Sequence, residues 1–298
     1  MEKSVIKWVG GKSQIIEDLI NRLPENTESI TTYIEPFIGG CTVMLNIIKY
    51  FPNLQKIVIA DLNSVLINLY TEIKNNPEEL IDILTDIETY YKSNNGLNAE
   101  SIYYEYRSKF NENKNNNNFD KTKLAAYFIF LNKTCFNGLY RENKKGLNNV
   151  PWNKNIKQTI FDKDNIMSLS KILNDYNVII ECSSYDETVK KHITEHSFIY
   201  FDPPYRPLNK TSAFTAYTKS GFNDDNQVEL KYLCDMINND YNSYFMLSNS
   251  DPKNTDINDT FFDDLYQDYH IERVSAARSI NSKGDKRGKI TEILVTNY

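Results

Sequence analysis

The sequence predicts an α/β fold, a parallel sheet covered by helices with a helical insertion in its middle. Short β-branched or aromatic runs alternate with helical patterns towards both ends of the chain, and between about Ser64 and Asp164 the pattern becomes helical only. A chain of 298 residues can bury such a core without disulfide staples.

The first strand is read at Tyr33 to Glu35. It enters Pro36-Phe37-Ile38-Gly39-Gly40, a small-residue turn before an apolar helix that starts near Thr42. Glycines at a strand-to-helix turn let a ligand approach the backbone, although a glycine pair alone carries little weight. The second strand, Lys56 to Ala60, ends at Asp61, a position suited to holding ribose hydroxyls. Seen alone, such an aspartate is more often the cap of a helix, here one beginning at Ser64. Helical patterns follow at Val65 to Lys74, Glu78 to Tyr91, Ser101 to Phe110 and Lys121 to Leu131. The polar tract Asn113 to Asn118 between the last two has nothing to bury and reads as a solvated loop. The third strand, Val178 to Cys182, precedes Ser184-Tyr185-Asp186-Glu187, which fits a capping box. Phe198 to Phe201, Tyr244 to Ser248, Ile271 to Ala276 and Glu292 to Thr296 complete the strands.

A net charge of -6 makes total charge a poor guide to a nucleic-acid partner, because phosphate contacts depend on local clusters of Lys and Arg. The four cysteines are far apart with no C-x-x-C pair, which argues against a zinc site or a disulfide framework. The first residues lack a signal-peptide core, and no apolar run approaches the ~20 residues of a membrane span. The expected location is the cytoplasm, with no metal and no membrane.

Asp202-Pro203-Pro204-Tyr205, at the carboxyl end of an apolar strand, carries the most chemistry. Two prolines stiffen the backbone and leave carbonyl oxygens to accept. A plain turn, with Asp202 capping and Tyr205 covering an edge, also fits. The chemical reading concerns an amino group conjugated to an aromatic ring, whose delocalised lone pair makes it a poor nucleophile. The Asp202 carboxylate and the Pro203 carbonyl could each take one N–H, directing the lone pair at an electrophile, while Tyr205 stacks on a base taken out of the duplex. Lys7 to Ser13 invites a P-loop reading, but that motif needs glycine where Ile6 stands.

In this order, the segments resemble the DNA adenine-N6 methyltransferases of the α arrangement, close to the GATC-specific members. The likeness rests on Lys7-Trp8-Val9-Gly10-Gly11-Lys12, Glu35 to Gly40, Ala60 to Asn63, Asp202 to Tyr205, Ser212 to Tyr217 and Gly288 to Tyr298. It implies a Rossmann-like S-adenosylmethionine-dependent methyltransferase sheet over residues 1–63 and 165–298, with a helical target-recognition insertion over 64–164. It further implies catalysis by Asp202, Pro203, Pro204 and Tyr205. S-adenosylmethionine would be bound by Trp8, Lys12, Asp61 and Asp202, with Glu35, Phe37 and Gly39 in the glycine turn and Ser184 and Tyr185 near the cofactor's adenine. Cys41 departs from the family's last glycine, and Ser184 from its usual acidic residue.

Asn132 to Arg141, followed by Asn149-Val150-Pro151-Trp152, is similar to the family's recognition hairpin. Asn137, Leu139 and Arg141 are expected to face base edges and Pro151 to close the hairpin against them, with Lys7 and Lys154 as further DNA contacts. A second basic loop holds Arg278, Lys283 and Arg287. A basic loop is usually a solvated face, but two on an acidic protein, one interleaved with aromatics, favour a phosphate-lined cleft. The expected partner is double-stranded DNA, met by a monomer; a restriction endonuclease sharing the target would be a companion and not a bound subunit. The alternatives are a cytosine-N4 methyltransferase, against which Asp202 speaks since those enzymes more often carry serine there, and an inactive DNA-binding relative.

Overall fold

The computed structural model describes residues 3–116, 119–206, 222–277 and 289–298. Its strands are β1 (Thr32–Glu35), β2 (Lys56–Ala60), β3 (Ile179–Glu181), β4 (Ser197–Phe201), β5 (Tyr244–Ser250), β6 (His270–Ala277) and β7 (Lys289–Thr296). They form one seven-stranded sheet in the order β3-β2-β1-β4-β5-β7-β6. Pairings of β1 with β2, β1 with β4 and β4 with β5 are parallel, whereas β7 runs antiparallel to both β5 and β6. All residues of β1 and β4 are buried, as befits central strands of a sheet covered on both faces.

The helices are α1 (Ile16–Ile20), α2 (Thr42–Ile47), α3 (Ser64–Asn75), α4 (Pro77–Lys92), α5 (Ala99–Lys114), α6 (Lys121–Thr134), α7 (Lys163–Asp175), α8 (Tyr185–His192), α9 (Asp224–Asp240) and α10 (Phe261–Leu265). The capping box at α8 is present: the Ser184 hydroxyl accepts from the Glu187 N–H and the Glu187 side chain accepts from the Ser184 N–H. Helix α3 is capped by Asn63, whose side chain accepts from the Val65 N–H, so Asp61 is not its cap. The Asn tract is not all loop. Helix α5 runs on through Lys114, and the Asn113 amide exchanges hydrogen bonds with the backbone of Asp120.

The chain divides into two compact units. One comprises Met1–Gly11, Gly39–Thr42 and Asn63–Ile180. At its centre is α6, buried nearly all round through Leu124, Ala125, Ala126, Phe128, Ile129, Phe130 and Leu131, with α3, α4 and α5 packed on it. Ile166, Leu169 and Leu173 make one buried face of α7, which packs on α3 and α4, so α7 groups with these helices although the sequence places the boundary near 165. The other unit comprises Lys12–Ile38, Val43–Leu62 and Glu181–Tyr298, and holds most of the sheet.

Candidate active site

In the sheet unit, β2, β1 and β4 are adjacent and parallel, and their carboxyl ends deliver Asp61, Glu35 and Asp202 side by side. The chain runs from β1 to β2 on one side and returns to β4 on the other, which makes this the point where strand order reverses and where open sheets bind ligands.

Asp202 leaves β4 directly into an ion pair. Its Oδ1 lies 2.6 Å from Lys12 Nζ, and Lys12 is only 3% exposed. The Ser248 hydroxyl of β5 also donates to Oδ1, at 3.3 Å. Burial raises the Asp202 pKa, and the Lys12 charge and hydrogen bond pull it back. The same Lys12 Nζ lies 4.7 Å from the centroid of the Tyr205 ring, within cation–π range. The Tyr205 hydroxyl donates to Glu292 Oε2 on β7 at 2.5 Å. Asp202, Lys12, Tyr205 and Glu292 are thus one connected cluster.

The backbone between Asp202 and Arg206 is held by polar side chains that the sequence does not mark. Gln227 of α9 donates to the Pro204 carbonyl and in turn accepts from Asn249. Asn249 Oδ1 accepts from the Arg206 N–H, and Ser250 donates to the Arg206 carbonyl. The Arg206 guanidinium grips both oxygens of Asp224, reaches Asp259 at 2.7 Å and lies over the Phe261 ring. Bidentate and multiply anchored, it fixes the far end of the segment. The signal for these residues is spatial, since they come from α9, β5 and the approach to α10.

Glu35 is buried, with the Tyr33 hydroxyl and the Met44 N–H donating to its carboxyl. Burial is the main reason that its pKa is pushed up to about 8, and the neighbouring Asp202 adds to the rise. The Phe37 and Tyr185 rings are half-buried and stack at 5.3 Å, with the Phe222 edge against both. The Asp61 N–H donates to the Glu181 carbonyl, fixing the end of β2 beside that of β3. A flat aromatic surface, a carboxylate at Asp61 and an ion pair at Lys12 and Asp202 are the groups that a heterocycle, a ribose diol and a zwitterion require. Ser184, tied to Asp186 and Glu187, serves the start of α8.

The helical unit brings together the other predicted residues. The Asn132 side chain accepts from the Lys7 N–H and donates to the carbonyls of Lys7 and Gly138, which pins the opening motif to the hairpin. Trp8 stacks near Tyr140, with ring centroids 6.2 Å apart. Gly39 has φ +45°, and a Cβ there would lie 2.8 Å from Trp8 Cδ1, so glycine is required by both conformation and contact. Cys41 also adopts a left-handed conformation, φ +61°, where the resemblance expects glycine. The expected hairpin is built on antiparallel bridges between Cys135 and Trp152 and between Glu142 and Asn148. Asn137, Arg141, Pro151 and Lys154 are exposed on it, with Leu139 half-buried and Lys7 exposed nearby in sequence to Trp8. Arg141 Nε donates to Asn149 Oδ1 at 2.8 Å. Arg278, Lys283 and Arg287 lie outside the described residues. Among the described residues no cluster suited to a metal and no helix long and apolar enough to cross a membrane occurs.

The family model for the D12 class N6 adenine-specific DNA methyltransferases matches residues 8–280. The chain is similar to the Type II methyltransferase M.MjaIII of Methanocaldococcus jannaschii, 42% identical over 99% of each chain. It is 36% identical to the Type II methyltransferase M1.LlaDCHI of Lactococcus lactis subsp. cremoris, over 98% of this chain and 94% of that one. A DNA adenine methylase of Vibrio cholerae is 31% identical over 98% and 95%.

Proposed function

The chain belongs to the D12 class of N6 adenine-specific DNA methyltransferases, and from that premise we propose that it methylates the adenine of GATC in duplex DNA, using S-adenosylmethionine and a flipped base. The observation that carries the chemistry is the cluster at the end of β4, where the Asp202 carboxylate, paired with buried Lys12, stands beside the Tyr205 ring.

S-adenosylmethionine supplies an electrophilic methyl group. Asp61, Lys12 and Asp202 are the polar residues assigned to hold it, with Phe37 and Tyr185 offering ring surface. Lys12 and Ser248 both engage Asp202 Oδ1, and Oδ2 is the oxygen assigned to one N6 hydrogen. The Pro203 carbonyl takes the other. With both N–H bonds engaged by acceptors, the amine nitrogen becomes more tetrahedral and its lone pair is withdrawn from conjugation with the ring and aimed at the methyl carbon, and the fixed Pro204 and Arg206 backbone keeps that geometry without reorganisation at the moment of reaction. Tyr205 holds the extruded base by stacking.

Target recognition is assigned to the helical insertion read at residues 64–164, with α7 packed among its helices, and catalysis to the sheet-bearing remainder of the chain. The hairpin bearing Arg141 presents a planar guanidinium suited to O6 and N7 of guanine. The protein is proposed to act as a monomer, either alone or beside a separate restriction endonuclease, as the Type II names of two relatives suggest. Sequencing of modified bases in DNA treated with purified protein and S-adenosylmethionine tests this. N6-methyladenine confined to GATC is expected; methylation confined to another sequence overturns the target assignment.

A further inference from the structure

We propose that Glu292 is a positioning residue for Tyr205, a carboxylate on β7 that locks the plane of the base-stacking ring before a target arrives. The proposal rests on the stacking role assigned to Tyr205 above.

A tyrosine that stacks on a base must hold its ring plane. Left alone, the side chain turns about its χ angles and the ring loses that orientation. Here the ring is fixed at two places. Its hydroxyl donates to Glu292 Oε2 at 2.5 Å, and one face lies over Lys12 Nζ at 4.7 Å from the centroid. A base must therefore take the face opposite Lys12. The bond needs an oxygen acceptor at the end of a side chain of this length, which glutamate supplies and glutamine would also supply.

The acceptor is itself rigid. Glu292 stands opposite Ser250 of β5 and Val274 of β6, inside the sheet and paired on both sides. Its neighbour Thr291 donates through its hydroxyl to Asp251 and through its N–H to Asn254. Asp251, only 1% exposed, is gripped in turn by Arg273. The ring is thus referenced to three strands and not only to its own loop.

Turnover on unmethylated phage DNA with labelled S-adenosylmethionine, in Glu292→Ala, Glu292→Gln, Tyr205→Phe, Tyr205→Ala and the Glu292→Ala/Tyr205→Phe double variant, decides the matter. Glu292→Ala should lower kcat by roughly 10-fold, within the ~100-fold that a 1 Å misplacement costs. KM for DNA, affinity for S-adenosylhomocysteine and Tm should stay near wild type. Glu292→Gln, which keeps an acceptor, should recover most of the loss. Tyr205→Phe should fall as far as Glu292→Ala, and the double variant no further. Full additivity, or wild-type kcat in Glu292→Ala while Tyr205→Ala is impaired, overturns the clamp alone. Wild-type turnover in Tyr205→Ala removes both the stacking role and the clamp that serves it.

Discussion

Replacing Glu35 with glutamine should change how stability depends on pH. The carboxyl is 2% exposed, and burial raises its pKa from an ordinary value near 4.5 to about 8 in the folded chain. A raised carboxyl pKa means that the folded protein keeps a proton that the unfolded chain has released, so stability from this group is complete below pH 4.5 and drains away as pH climbs towards 8. Each pH unit in that window is worth 1.36 kcal/mol, which gives a loss on the order of 4 kcal/mol across it. Glutamine keeps the shape and an acceptor for Tyr33 but cannot titrate. Urea unfolding of both proteins at half-unit steps from pH 4.5 to 8.5, followed by far-ultraviolet circular dichroism, gives the difference between them, in which groups common to both cancel. The Glu35→Gln protein should gain on wild type by about 4 kcal/mol between the ends of the series. A difference that is flat with pH, or that moves the other way, would refute a neutral Glu35 beneath the site.

Asp202→Ala and Asp202→Asn should both abolish methyl transfer, and Asn, which keeps an oxygen acceptor for Lys12, should cost less stability than Ala, whose loss of the pair is expected to cost roughly 3 to 5 kcal/mol; thermal melts that fail to separate the two would count against a bond from Lys12 to this position. Asp61→Ala should weaken S-adenosylmethionine binding by about 1.5 to 3 kcal/mol in calorimetry, and unchanged affinity would move the ribose site away from the end of β2. Arg141→Ala should relax discrimination at one base of the target by ~1 to 3 kcal/mol, measured as turnover on GATC and its first-base variants, whereas equal loss on all of them would make Arg141 a phosphate contact.

Much of this was legible in the sequence because the strands are short, β-branched and bounded. The run Phe198 to Phe201 forecasts a buried strand with Asp202 at its carboxyl end, and the structure has both. The capping box at Ser184 depends on local spacing alone and is found as read. Residues whose roles arise from distant contacts were not legible. Nothing near Glu292 announces a partner at position 205, and Gln227 and Asn249 look like ordinary polar positions of a helix and a strand until β4 and β5 are paired. The resemblance marks Lys12 as a cofactor residue, but its burial and its pairing with Asp202 are seen only in the structure. Helix α7 runs across the apparent end of the insertion, and its allegiance is decided by which helices its apolar face meets.

The place of β7 between β5 and β6 has a bearing on biosynthesis. A ribosome delivers residues 289–296 after both neighbours, so a nascent chain carrying everything through β6 still has an open slot in its sheet and no anchor for the Tyr205 hydroxyl. Pairings so remote in sequence form late, because loop closure must be met before they are rewarded. A chain truncated before β7 would therefore lack both the strand that joins β5 to β6 and the carboxylate that anchors Tyr205.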